Sequence, residues 1–371
     1  MEFRKLGKTG LDVGVIGLGT EHLNGRPRET VVSVIREAIE RGVNYFDLVF
    51  SFHEYLENLR VAVQGHRNRV ILTGHLGSTE KNGQYCKTRS AKTCERFFLD
   101  LLSRLGTEYI DILFLHNFNS VKDLDSVMKP GGVMDLTCRL REEGKARFLG
   151  ISAHYVEVAR KAVESGQIDV VMFPINLLGH AMPSRKELQN LCATHGVGLV
   201  AMKPFGGGKL LAQRGIFRVP KYQTGGESYK AKITSEITPA QCLSYVLAQV
   251  GVCTTVPGVK SNAELAAALH TLEATEAERD FSGLVTSFGR YEEGECVYCN
   301  HCLPCPAVID IAQIHRLVDA AQWGVTRSLQ IAYDALPVRA SACTECGACV
   351  ERCPFGVDVI LKMKRAVDLF G

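Results

Sequence analysis

The chain has 371 residues, 46% hydrophobic and 22% charged, with 14 cysteines and a formal net charge of +3. That length suits two domains or one large barrel with an appendage, and the near-neutral balance lacks the basic footprint of a nucleic-acid binder. It has no run of about 18 apolar residues and MEFRKLGKTG has no apolar signal core, which predicts a cytoplasmic protein with reduced thiols and no membrane span.

From residue 12 to about 270, β-branched apolar runs alternate with segments of helical periodicity. Strands are expected at 12–19, 44–49, 69–76, 110–116, 147–152, 170–176, 196–202 and 253–259. Helices between them include 29–41, 88–105, 155–165 and 184–195, and glycines such as Gly42, Gly106 and Gly196 stand just past helical runs. Eight strand–helix units predict an α/β chain whose residues 1–275 form a (β/α)8 TIM barrel. The rival is an open doubly wound sheet, and no dinucleotide-turn fingerprint supports it. Two long connections, 117–132 and 205–237, fall on the face where barrels build their sites, as a lid, as part of the site, or as a disordered insertion. Residues 276–290 read as a linker, and 291–371 as a small helical ferredoxin-like domain.

Eight of the 14 cysteines fall in that last segment. One motif is Cys296, Cys299, Cys302 and Cys305; the other is Cys343, Cys346, Cys349 and Cys353, and each ends in Cys-Pro. The second has the C-x2-C-x2-C-x3-C-P spacing of bacterial-type ferredoxins, in which three thiolates wrap one [4Fe–4S] cluster and the fourth reaches the neighbouring one. On that logic Cys296, Cys299, Cys302 and Cys353 hold one cluster, and Cys343, Cys346, Cys349 and Cys305 the other. The first motif has two rather than three residues before its last cysteine, so the crossed pairing is an expectation. Zinc normally uses two CxxC pairs, four thiolates in all, which leaves half of this set unexplained.

The expected strand ends carry His22, Asp47, His53, Tyr55, His75, His116, Ser152, His154, Asn176, Lys203, Gly258, Lys260 and Ser261. Convergence of imidazole and charge at that rim reads as a site for a small-molecule substrate. Gly206, Gly207 and Gly208 form a glycine run that lets a pyrophosphate approach the backbone, or else a flexible loop.

FRKLGKTGLDVGVIGLGT, NYFD, LLSRLGTEYIDILFLHN, GKARFLGISAH, GLVAMKPFGGG and VPGVKSNAEL, followed by the two cysteine motifs, resemble the aldo-keto reductase family. The likeness is to its branch with a C-terminal pair of [4Fe–4S] motifs. It implies a barrel that binds NAD(P)H across its mouth and passes hydride to a carbonyl. The family's quartet is Asp, Tyr, Lys and His, of which Asp47 and His116 match. Phe52 stands in the tyrosine position and His75 in the lysine position, so the usual proton donor is replaced.

Ser152 and Asn176 match nicotinamide-side positions, and Lys260 and Ser261 a phosphate-contacting pair. Met172 and Met202 replace the family's glutamine and stacking aromatic, and its arginine is missing from NAELAAALH.

The resulting expectation is an iron–sulfur oxidoreductase acting on a carbonyl or hydroxyl substrate, with His75, His53 or Tyr55 supplying the missing acid. Two clusters would relay electrons with a ferredoxin- or flavodoxin-like partner. Metal-dependent or lyase/isomerase chemistry at the His/Asp rim, and an electron-transfer module with a silent barrel, are the alternatives.

Overall fold

Eight parallel strands form one sheet in the computed structural model. They are β1 Leu18–Gly19, β2 Tyr45–Leu48, β3 Ile71–Leu76, β4 Ile110–Phe118, β5 Ala146–Ala153, β6 Val170–Pro174, β7 Gly198–Met202 and β8 Val252–Val256. Neighbours in sequence are neighbours in the sheet. The first strand region also meets the last: Gly17 donates to the Thr255 carbonyl at 2.8 Å and Gly19 to that of Pro257 at 3.0 Å. Those bonds close the sheet into a barrel and remove its edges. The structure describes residues 1–371 except 119, 181, 183, 212–214, 219–229, 234–235, 286–287, 289–293, 295, 297–301, 322–324, 326 and 354–355.

The run expected as one strand over 12–19 divides. Asp12–Gly14 pairs antiparallel with Phe3–Lys5, and only Leu18–Gly19 joins the barrel. Gly17 lies against the Tyr45 backbone, where a Cβ would crowd the carbonyl. Helices Arg28–Glu40, Ala91–Leu105, Val156–Glu164 and Arg185–Thr194 occupy the positions that periodicity predicts. The helix Ala91–Leu105 starts on a Ser90 cap and ends at Gly106, whose φ of 64° suits glycine.

Barrel strands alternate between the interior and the helix layer. Tyr45, Ile71, Ile112, Phe114, Val170, Met172, Val200 and Met202 pack inside as a separate apolar cluster. Each fully buried large side chain of this kind contributes about 1.5–3 kcal/mol. The same period of two carries the register on from Tyr45 to Asp47, from Ile71 through Thr73 to His75, and from Ile112 through Phe114 to His116. It therefore delivers Asp47, His75 and His116 to the C-terminal end of the interior.

The connection 117–132 forms the helix Val121–Val127, capped by Ser120, and 205–237 contains the paired strands Gly215–Arg218 and Lys230–Ile233. Another hairpin, Ser78–Lys81 with Gln84–Lys87, follows β3. Its turn is Asn82-Gly83 with φ of 54° and 75°, the left-handed pair that a two-residue hairpin turn requires.

Beyond the barrel, Glu276–Arg279 and Ser282–Val285 are short helices inside the segment read as a linker. Ile311–Ala320, Arg327–Asp334 and Val359–Phe370 are the longer helices of the C-terminal part, and the first and last pack together.

Candidate active site

Four side chains form a continuous hydrogen-bonded chain at the mouth. His75 Nε2 lies 2.8 Å from Asp47 Oδ1, and His75 Nδ1 lies 3.0 Å from His116 Nδ1. His116 Nε2 lies 2.6 Å from the Tyr85 hydroxyl. Thr73 donates to the same Asp47 oxygen at 2.7 Å, fixing the carboxylate. All four members of the chain are buried, yet each lines a cavity of about 320 Å³ in the mouth.

The chain is held from both ends. The His75 ring stacks on Phe114 with centroids 5.2 Å apart. Arg89 donates to the carbonyls of His116 at 2.8 Å and Asn117 at 2.9 Å, and forms a two-pronged pair with Asp123. It clamps the end of β4 where His116 sits. Tyr85 comes from the hairpin after β3, opposite Glu80 in the ladder. Ser51 anchors this hairpin by donating to the Ser78 carbonyl at 2.8 Å.

Proton order follows from this geometry. With both imidazoles neutral, Tyr85 donates to His116, His116 to His75, and His75 to Asp47, so every partner is satisfied. With His75 as imidazolium the middle bonds reverse. His75 donates to His116, His116 Nε2–H donates to the Tyr85 oxygen, and the phenol proton is released toward the cavity.

The other expected site residues divide. Lys203, Ser152, His22, Gly207, Gly208, Gly258 and Lys260 line the cavity. Lys203 Nζ is 3.0 Å from His154 Nε2, and burial followed by the Lys203 charge holds the His154 pKa well below 6.5. Gly258 bridges Gly19 at the barrel seam, and a Cβ there would overlap the His22 ring.

Among the remaining expected residues, His53 turns outward. It begins the helix His53–Val63, is half exposed, and lies 3.7 Å from Asp100. Tyr55 is buried against Phe50 with its hydroxyl bonded to Thr20, and burial pushes its pKa far above 10. Neither lines the cavity. Asn176 spends its amide on the Lys203 carbonyl and the Gly179 amide, at 2.9 and 3.1 Å. Ser261 caps the helix Asn262–Leu269 by accepting from Glu264 at 3.3 Å. Gly206 is buried against Leu178 beside the cavity.

In the C-terminal part, Cys305, Cys343, Cys346 and Cys349 line one small cavity together with Arg352 and Met363. Three come from the second motif and one from the end of the first. Arg352, beside Cys353, reaches back to the first motif, donating to the carbonyls of Cys302 at 3.0 Å and Pro304 at 2.6 Å. Among the described residues, no three His, Cys, Asp or Glu converge on a point as a single metal ion demands. Four cysteines on one cavity are the donor set that a [4Fe–4S] cubane takes. Cys299 lies outside the described residues; Cys296, Cys302 and Cys353 are partly buried against the core.

A family model described as "Aldo/keto reductase family" matches residues 15–285. The chain belongs to the aldo/keto reductase family. A second model, a 4Fe-4S dicluster domain, matches residues 293–357. The oxidoreductase YqkF of Bacillus subtilis (strain 168) is 27% identical over 297 residues, spanning 75% of this chain and 92% of that protein. L-galactose dehydrogenase of Arabidopsis thaliana is 26% identical over 227 residues, spanning 57% and 68%. The holo form of an aldo-keto reductase from Bacillus halodurans has the same fold, with a TM-score of 0.63 at 23% identity, covering 79% of this chain and 98% of that one.

As an aldo/keto reductase the chain is an oxidoreductase with an iron–sulfur domain. In this member of the family Phe52 stands at the N-cap position of the helix His53–Val63 and packs on Phe50, 5.2 Å between centroids. No hydroxyl enters the mouth from that position. Tyr85 is absent from a reading of strand ends because it sits on an inserted hairpin. The Asn82-Gly83 dipeptide between STEK and QYCK was the available signal for that insertion.

Proposed function

We propose that the barrel reduces a small carbonyl compound with Tyr85 as the proton donor, fed by His116, His75 and Asp47. The observation that carries this reading is the unbroken chain of hydrogen bonds from the Asp47 carboxylate to a phenol in the cavity. Tyr85 gives its proton to the substrate oxygen as that oxygen gains negative charge. Its own oxygen takes a proton from His116 Nε2, and His116 Nδ1 takes one from His75 Nδ1. His75 ends neutral, still donating from Nε2 to Asp47, and must regain a proton before the next turnover. Asp47 accepts from His75 Nε2 and so holds the ring in place for the transfer.

A reduced nicotinamide bound in the cavity supplies the hydride in this reading. The donor set suits such an elongated anion: Lys203 and Lys260 provide charge, and Gly207 and Gly208, at φ of 70° and 88°, expose backbone. A Cβ at Gly208 would meet nothing within 4 Å, so there is room beside it. Ser152 lies on the cavity lining near the catalytic chain. The lyase or isomerase reading uses the same His/Asp pair without hydride, but leaves the phenol-ended chain without a purpose.

In the C-terminal part, we assign one [4Fe–4S] cluster to Cys305, Cys343, Cys346 and Cys349, and a second to Cys296, Cys299, Cys302 and Cys353. Clusters supply one-electron storage when bound. Cys346 is exposed, which leaves its cluster open to a ferredoxin- or flavodoxin-like partner. The division of labour follows a barrel over 1–275 and a cysteine domain over 291–371, joined through 276–290.

The test is anaerobic titration of the holoenzyme with NADH and NADPH, then nucleotide oxidation with a panel of aldehydes and ketones. Binding and carbonyl-dependent oxidation are expected. Failure to bind either nucleotide would falsify the hydride reading.

A further inference from the structure

The barrel cavity is not walled by the barrel alone. Arg316 lines it as well, and Arg316 lies on the helix Ile311–Ala320 of the C-terminal part. The helix presents Ile311, Ile314, Leu317 and Val318 to the core as buried residues, in the same apolar cluster as the barrel helices. Its Arg316 shares the cavity lining with Gly207 and Gly208. Burial, then the nearby charges of Lys362 and Lys209 against that of Asp319, pushes the His315 pKa down to about 3.

We propose that Arg316 is an anion-binding residue of the barrel site, contributed from outside the barrel, and that it holds a phosphate of the nicotinamide dinucleotide. The inference rests on the hydride reading above. A guanidinium presents a planar fork that matches phosphate oxygens two at a time. Arg316 shares the cavity with Lys260, Gly207 and Gly208, the residues suited to a polyanion. Glu264, the carboxylate beside them, is engaged: its Oε2 accepts from the Lys260 backbone at 2.8 Å. Phosphate recognition then depends on the C-terminal part being in place, so the barrel's nucleotide site is completed by the domain that carries the cysteines.

The experiment is equilibrium fluorescence titration of the anaerobic holoenzyme and its R316A and R316K variants with NADPH and NADH. Unchanged visible cluster absorbance certifies that each variant retains its folded C-terminal part. R316A should raise Kd tenfold or more, and R316K less, because lysine keeps the charge without the fork. Weakening of NADPH alone places Arg316 on the 2′-phosphate, and weakening of both nucleotides places it on the diphosphate; either supports the proposal. Unchanged Kd for both overturns it, including the case where KM for the carbonyl substrate rises instead. Wild-type protein that binds neither nucleotide overturns the hydride reading and this inference together, whereas tight wild-type binding with unchanged variants overturns this inference alone.

Discussion

In the proposed mechanism, a phenol brought to the cavity on a hairpin frees the second barrel strand from supplying the proton donor. Phe52 can then serve as a packing residue, and His75 can sit between Asp47 and His116 where a permanently charged lysine would not accept a proton. Two tyrosines near the mouth make the assignment testable. Tyr55→Phe removes a buried bond to Thr20, so it should cost about 1 kcal/mol in denaturant unfolding and leave turnover within about twofold. Asp47→Asn keeps the shape but removes the carboxylate that accepts from His75 Nε2 at the end of the chain. Its kcat should fall by about 10- to 1000-fold with nucleotide Kd unchanged, and a wild-type kcat would remove Asp47 from the mechanism. His53 illustrates what a strand-end reading overlooks. Tyr55, Leu56, Leu59 and Ala62 form the buried side of the helix His53–Val63, and that phase sends His53 outward toward Asp100. Hydrophobic periodicity in the sequence already contained the answer.

At the scale of elements, most barrel strands were legible as apolar runs between glycine-ended helices, whereas the run over 12–19 divided. The hairpin after β3 was not. Its strands are polar, its signal is one Asn-Gly dipeptide, and its consequence is a contact between Tyr85 and His116, 31 positions apart. The hairpin also carries a titrating group. Burial, with Arg89 and Arg352 nearby and Asp123 opposing them, lowers the Lys87 pKa to about 8. The folded state therefore binds fewer protons than the unfolded chain between pH 8 and the ordinary lysine value of 10.5. Stability from this group rises with pH across that window and is missing below it. Lys87→Met should be more stable than wild type at pH 7 by about 1–3 kcal/mol, the gap closing above about pH 10. A gap that stays constant with pH would contradict the assignment.

For the whole molecule, two arginines join segments distant in sequence. Arg352 ties one cysteine motif to the other, and Arg316 brings the C-terminal part into the barrel cavity. The crossed cysteine pairing is an expectation drawn from spacing, since a short loop constrains which thiolates share a cluster. The Arg316 contribution was not, because it depends on how two distant segments pack. Cys305→Ser and Cys349→Ser should each lower bound iron by about half, and the double variant should lose no more than either single one. Further loss in the double variant would assign the two residues to different clusters. The central claim is that Tyr85 donates the proton. Its most direct test is the single-turnover rate of nicotinamide oxidation with an aromatic aldehyde acceptor, in wild-type and Tyr85→Phe holoenzyme saturated with nucleotide. The account predicts a fall of about 100- to 10,000-fold with nucleotide Kd unchanged, and a Tyr85→Phe rate within threefold of wild type would contradict it.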